Sequence, residues 1–381
     1  MAKGWVGKFL EVDLTTRVVQ TRDTLPYARD YIGGRGIAAR LAWETIPSGI
    51  DAFDPENPLI LFTGPLTGTI APTSGRTVFM SVSPRVYPRP WITHSTMGGW
   101  FGSELKYAGF DGLVISGKAD APVYLSIEDG RAVIKDASDL WGLGTREVQI
   151  RLKQRHGEKA RVTCIGPAGE NLVRVATIQH AEECASGHSG FGGVLGSKKL
   201  KAVVVRGTQG VEIARPAEML AETARAREAA WVSPLDGFYD HSARHKDAPE
   251  QAKRRPVCSQ SCTMDCLLIS LHRVEGQPDD VTACIGVDYT NEELESIGER
   301  VFNLERAMLA EFGRDRQVDA SIEPHFELPC KTDGTYLDKA LFDELMDSYY
   351  QYRGWDMERG WPAREKLEEL GLDDVADRLG V

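Results

Sequence analysis

The sequence predicts an α+β protein, with a β-rich N-terminal domain over residues 1–208 and a helical domain over residues 209–381. Two observations carry that reading. Through Arg206 the chain is made of short β-branched and apolar runs, each closed by glycine, proline, a Thr-Thr pair or an Asp-Gly pair. From Ala214 onward the apolar residues fall at helical spacing instead, beginning with Pro216-Ala217-Glu218-Met219-Leu220. At 381 residues the chain can bury a large core and divide into two domains or more.

The elements follow in order. Trp5 to Leu14, a Thr15-Thr16 turn and Val18-Val19 read as a hairpin. Tyr31-Ile32-Gly33-Gly34-Arg35-Gly36 leads into a helix over Ile37 to Thr45. Its glycines suit either an anion held on backbone amides or a plain capping turn. Leu59 to Phe62 is a buried strand by composition, and a loop from Thr63 to Arg76 separates it from the strand Thr77 to Val82. Small residues in that loop allow close backbone approach, and Arg76 offers forked donors to a phosphate or a ring edge.

A second glycine loop, His94 to Gly102, opens a short helix, and the strand Gly112 to Ser116 follows. A hairpin (Val123 to Ile127, Ala132 to Ile134) precedes a helix over Thr145 to His156. Val162 to Glu170 reads as a strand ending in a third glycine loop, and Val173 to Ile178 as another strand. Ser186 to Lys198 is a fourth loop before the closing strand Leu200 to Arg206. Four glycine loops beside strands suggest one extended ligand across the ends of the β domain, facing Arg76, His188 and Lys198. The plainer alternative is that the glycines serve only turns. His94 and His188 are candidate proton carriers or phosphate contacts, and Glu170 a candidate cap.

With 45 Lys+Arg against 56 Asp+Glu, the formal net charge of −11 argues against nucleic acid or an anionic membrane as partner. No apolar run approaches the ~18 residues of a membrane span, and the N-terminus has no signal-peptide core. Seven unevenly spread cysteines do not resemble a secreted disulfide framework, so a cytoplasmic location is expected.

Three of those cysteines, Cys258, Cys262 and Cys266, are spaced Cys-x3-Cys-x3-Cys just after the basic run Lys253-Arg254-Arg255. Three close thiolates plus one remote cysteine is a common way to hold a 4Fe–4S cluster. Structural zinc more often takes two pairs with a short gap in each, and three buried thiols are the bland alternative. Cys164 and Cys184 read as core or near-core thiols, and Cys330, beside Pro329, as loop filler.

Thr63-Gly64-Pro65-Leu66-Thr67-Gly68-Thr69 with Ser74-Gly75-Arg76, Gly98-Gly99 and Leu105-Lys106-Tyr107-Ala108-Gly109-Phe110-Asp111 resembles the N-terminal domain of the aldehyde:ferredoxin oxidoreductases. Gly190-Phe191-Gly192-Gly193-Val194-Leu195-Gly196-Ser197-Lys198 is similar to the same family's second signature. The family includes a benzoyl-CoA reductase branch. The resemblance implies a tungsten (or molybdenum) bis-pterin beside a 4Fe–4S cluster, with Arg76 between them. It implies that Ser95, Thr96, Gly98 and Gly99, and Gly187, His188 and Gly190, touch the pterin phosphates and a bridging magnesium. Two departures stand out: the family usually carries asparagine near Ser95 or Thr96 and arginine near His188.

It further implies oxidation of an aldehyde, or action on an acyl-CoA-type substrate, with electrons passing to ferredoxin or an iron–sulfur subunit. The chain would work as a homo-oligomer or beside a homologous subunit. Segments near Gly286-Val287-Asp288 and Tyr352-Arg353-Gly354-Trp355-Asp356 resemble the family's far C-terminal part. Between Leu271 and Cys284 only a short stretch stands where the family has a long helical block, so the helical domain is expected to be abbreviated. Cys284 stands too close to Gly286 to match the family's fourth cluster ligand, yet is the candidate to replace it in space. The shortened half leaves a second reading open: a catalytically inactive, truncated member serving as a cluster-binding electron-transfer or scaffold subunit.

Overall fold

The hairpin read at the N-terminus is the edge of a six-stranded sheet. In it β1 (Lys8–Asp13) pairs antiparallel with β2 (Val18–Asp23) on one side and parallel with β6 (Gly112–Ser116) on the other. Beyond β6 lie β3 (Leu59–Phe62), β4 (Thr77–Ser83) and β5 (Trp91–Met97), all antiparallel. The computed structural model describes residues 3–71, 74–86, 89–181, 184–231, 284–321, 326, 334–336 and 338–381.

A second six-stranded sheet runs in the order β11-β10-β9-β12-β7-β8. Its strands are β7 (Val123–Glu128), β8 (Arg131–Asp136), β9 (Arg161–Cys164), β10 (Ile178–His180), β11 (Cys184–Ser186) and β12 (Leu200–Arg206). The two sheets face each other across a core in which Leu61, Phe79, Met97 and Ile115 meet Leu125, Ile127, Ile178 and Val203. The alternate residues of β3 and β4, Ile60, Phe62, Met80 and Val82, point the other way, into a core shared with helix α2 (Gly34–Thr45), which follows the short helix α1 (Leu25–Tyr31). Both faces of the first sheet are thus covered, which is why its central strands read as unbroken apolar runs. A third core lies under the second sheet, where Val148 and Leu152 of the helix Thr145–His156 pack on Val162, Ala202 and Val204.

The C-terminal part is helical where described. Its helix Asn291–Glu311 is closed by a capping box between Thr290 and Glu293. It packs Leu304 and Met308 onto the α2 face of the first sheet, together with Leu367 and Val375 from the last two short helices and Leu372 between them. The α+β class and the β-then-helix order are as expected, and no helix among the described residues is long and apolar enough to cross a membrane.

Several local expectations change. Helix α2 begins at Gly34, three residues early, because Gly34 and Gly36 lie inside its first turn; a Cβ there would strike Phe62 O and Tyr31 O. The glycines serve close packing, not an open anion loop. His94, Ser95 and Thr96 stand on strand β5, not in a loop. Val173 to Thr177 forms turns, with Ala176 O accepting from Gly192 N, and the strand starts only at Ile178. Most of the fourth loop is the helix Phe191–Ser197, and the third contains the one-turn helix Pro167–Glu170. Those two pack glycine to glycine, since a Cβ on Gly196 would lie 1.9 Å from Gly169 O.

Candidate functional site

Arg76 ends the long loop after β3 and stands exposed at the start of β4. Its Nη1 donates to Thr96 Oγ1 at 3.5 Å across the β4–β5 pair. Gly98 follows directly, and a Cβ there would come 4.0 Å from the guanidinium and 3.7 Å from Cys184 Sγ. Gly99 turns through φ +88°, with its carbonyl so close to Gly75 that a Cβ on Gly75 would lie 2.8 Å away. The Gly75-Arg76 and Gly98-Gly99 turns are therefore fitted into each other, and neither Gly75 nor Gly99 takes a side chain without a neighbour moving.

Ser95 points to the opposite face of β5 from Thr96. Buried there, its hydroxyl donates to Gly187 O at 2.6 Å. This bond brings the Gly187-His188-Ser189-Gly190 turn to the same end of the molecule. Ser83 Oγ donates to Ser189 O, and Arg85 Nη1 to His188 O. His188 itself is exposed, with φ +64°. Gly190 has φ +72° and caps the helix Phe191–Ser197. At Gly187 a Cβ would meet nothing within 4 Å, so that turn borders open space. Beside it, Ser186 Oγ is buried with no hydrogen-bond partner among the described residues. Exposed guanidinium donors, left-handed turns of the kind whose amides bind anions and an open border make a donor set that fits a phosphate-bearing cofactor.

The loop that delivers Arg76 is anchored from below. Lys106 is wholly buried, and its Nζ donates to Gly64 O at 3.0 Å, to Pro65 O at 3.3 Å and to Gly4 O. Burial pushes its pKa down to about 8, against the pull of Asp111 and Cys284. Asp111 accepts from Val6 N and Gly7 N, and burial raises its pKa. Cys284 donates its thiol to the same Pro65 O at 3.4 Å and lies buried with Ala71 and Met219. It therefore sits beneath the Thr63–Arg76 loop. Cys258, Cys262, Cys266 and Cys330 lie outside the described residues, and no group of three or more metal-ligating side chains occurs among the described ones.

Three expected candidates have structural duties. Lys198 does not face the open end: it is buried and donates to Pro55 O and Gly117 O. Glu170 accepts from Gly142 N and pairs with buried Lys201. His94 lies on β5 with Nδ1 3.8 Å from Glu305 Oε1, and burial lowers its pKa despite that carboxylate. Sequence reading passed over His180. Buried on β10, it receives the Trp100 N–H on Nε2 at 3.3 Å and bonds Val162 O through Nδ1 at 2.8 Å. Nothing local marks it, because both partners are remote in sequence.

A family model described as Aldehyde ferredoxin oxidoreductase, N-terminal domain, matches residues 9–207, and one described as Aldehyde ferredoxin oxidoreductase, domains 2 & 3, matches residues 218–372. The chain belongs to the aldehyde ferredoxin oxidoreductase family. It is 44% identical over 213 residues to a tungsten-containing aldehyde ferredoxin oxidoreductase of Pyrococcus abyssi, covering 55% of this chain and 35% of that relative. It is 36% identical over 222 residues to the WOR-like subunit of an aliphatic sulfonate oxidoreductase of Pyrococcus furiosus, covering 53% of this chain and 34% of that relative. These alignments span about a third of the length of the curated relatives. Among solved structures, a chain of the active-site complex BamBC of benzoyl coenzyme A reductase, in complex with 1,5-dienoyl-CoA, superposes with a TM-score of 0.81. That match covers 99% of this chain and 98% of the other at 20% identity, a likeness of fold.

Proposed function

We propose that this aldehyde ferredoxin oxidoreductase family member is a tungsten (or molybdenum) bis-pterin oxidoreductase that oxidises an aldehyde or acts on an acyl-CoA-type substrate. Electrons would leave through a 4Fe–4S cluster. The observation that carries the reading is the interlocked pair of turns Gly75-Arg76 and Gly98-Gly99, tied through Ser95 to the Gly187–Gly190 turn. Tungsten-containing relatives support the metal.

In this reading residues 1–208 form the pterin-binding domain and residues 209–381 the iron–sulfur domain. The metal and pterin supply the redox chemistry when bound; the chain binds, orients and shields. Arg76 would offer its forked donors to the pterin and the cluster. Ser95, Thr96, Gly98 and Gly99, with Gly187, His188 and Gly190, hold the phosphates and their magnesium. Cys258, Cys262 and Cys266 would hold the cluster, with Cys284, which lies beneath the loop that carries Arg76, as the fourth ligand. We place the protein in the cytoplasm, where thiols stay reduced. Its partners are ferredoxin or an iron–sulfur subunit, in a homo-oligomer or with a homologous subunit. Relatives named as a subunit and as part of a complex support an assembly of that kind.

The test is Arg76→Lys in anaerobically produced protein. A lysine keeps the charge but not the forked, directional donors. Retained pterin should fall several-fold while the circular dichroism spectrum is unchanged. Pterin content equal to that of the parent chain would remove Arg76 from the site.

A further inference from the structure

We infer that His180 is a positioning residue of the cofactor face, setting the Gly98-Gly99 turn and, through it, Gly75-Arg76. The inference rests on the proposed assignment of those turns to the cofactor.

The contacts form an unbroken sequence from one sheet to the other. His180 is 4% exposed on β10 of the second sheet, and its Nδ1 lies 2.8 Å from Val162 O on the adjacent strand. A carbonyl can only accept, so Nδ1 carries the proton, and Nε2 is left with the lone pair that receives the Trp100 N–H at 3.3 Å. Trp100 opens the helix Phe101–Tyr107 and directly follows Gly99. The imidazole therefore reaches across the sandwich and takes the first backbone donor after the glycine turn. It is also wedged against that turn. A Cβ on Gly99 would lie 2.7 Å from His180 Cδ2, closer than real Cβ atoms approach, and 3.0 Å from Nε2. Phe101 braces the ring edge-on, with centroids 6.0 Å apart. On the far side of the turn, Gly99 O abuts Gly75 and the Arg76 guanidinium lies by Gly98. Moving the imidazole moves the turn, and moving the turn displaces Arg76.

Cys184 supplies an independent reporter. Its Sγ is 3.3 Å from the position a Cβ on Gly99 would take, and the residue is half-buried. Loosening the turn uncovers this thiol whether or not any cofactor is bound.

The experiment uses the full chain with His180→Asn and His180→Gln. Asparagine keeps a donor at the Nδ1 position for Val162 O and removes the acceptor for Trp100 N–H; glutamine keeps an acceptor near the Nε2 position. Two quantities are read. One is Cys184 alkylation by iodoacetamide, followed by peptide mass spectrometry on protein made without tungsten. The other is pterin and tungsten per chain on protein made with it. We expect His180→Asn to raise Cys184 alkylation at least several-fold and lower retained pterin comparably, with His180→Gln recovering much of both. Should His180→Asn fail to fold, Gly99→Ala presses on the same contact from the other side and should give the same two changes. Parent-like alkylation and pterin in His180→Asn, or in Gly99→Ala, would overturn the inference. If the parent chain holds no pterin, the functional reading fails, and the Cys184 rates alone decide whether His180 holds the turn.

Discussion

Arg35 and Glu305, 270 positions apart in sequence, meet in a two-pronged ion pair with Arg35 Nε 2.7 Å from Glu305 Oε1. The pair joins the first turn of α2 to the long helix Asn291–Glu311, and His94 of β5 approaches the same carboxylate. With side chains 29% and 15% exposed, it is partly desolvated, so it exceeds a surface salt bridge without being fully buried.

Glu305→Gln should lower stability by about 1–2 kcal/mol in urea unfolding, since the arginine is left with a neutral acceptor. It should also lower the His94 pKa further, because the carboxylate is what opposes burial and Arg35 there. NMR titration of that histidine checks the second point. An unchanged unfolding midpoint would show that the two parts of the chain do not depend on this contact.

The buried lysines give a pH dependence with a defined sign. Burial pushes Lys198 from 10.5 down to about 7, although Glu56, Asp13 and Asp54 pull the other way. Between about 7 and 10.5 the unfolded chain carries a proton that the folded chain lacks, so stability rises with pH across that window. The contribution is fully present above the unfolded pKa and is lost as pH falls through about 7. Lys198→Met removes the titration. Measured by urea unfolding at pH 7 and pH 9, the difference between parent and variant should shift towards the parent by at most about 1.4 kcal/mol per pH unit. A constant difference would contradict the assignment.

Two glycines of the Gly187–Gly190 turn should behave oppositely. At Gly190, with φ +72°, a Cβ would lie 2.0 Å from Arg174 O, a backbone atom that cannot step aside. Gly190→Ala should cost more than about 2 kcal/mol. Gly187 borders open space, and Gly187→Ala should stay within about 0.5 kcal/mol. Thermal unfolding of both variants checks the contrast.

Much of the fold was legible because burial and local pattern agree. Leu59–Phe62 is apolar on both faces and has cores on both, and the helix Thr145–His156 ends where its pattern ends. The failures share a cause. Strand β5 carries His94, Ser95 and Thr96, which read as the start of a glycine loop; Ser95 is nevertheless buried, because its hydroxyl finds Gly187 O 92 positions away. Val173 and Val175 read as strand but are exposed, while the nearby backbone bonds to the helix Phe191–Ser197. At the candidate site Arg76, Ser95 and Gly98 could be named from motif resemblance. His180 could not, because Val162 becomes its neighbour only when β9 and β10 pair, and Trp100 only when the sheets stack.

The cysteine triplet carries its own test. Anaerobically purified protein should contain iron and acid-labile sulfide in near-equal amounts, and Cys262→Ser should bleach the broad visible absorption of the cluster. Zinc in place of iron would replace the iron–sulfur reading.

The measurement that bears most directly on the central claim is the tungsten, molybdenum and pterin content of the anaerobically purified chain, with aldehyde-dependent reduction of an artificial acceptor read on the same sample. We expect one tungsten or molybdenum and two pterins per chain, with turnover on at least one aldehyde or acyl-CoA-type substrate. Protein that holds neither metal nor pterin after growth with both metals would contradict it.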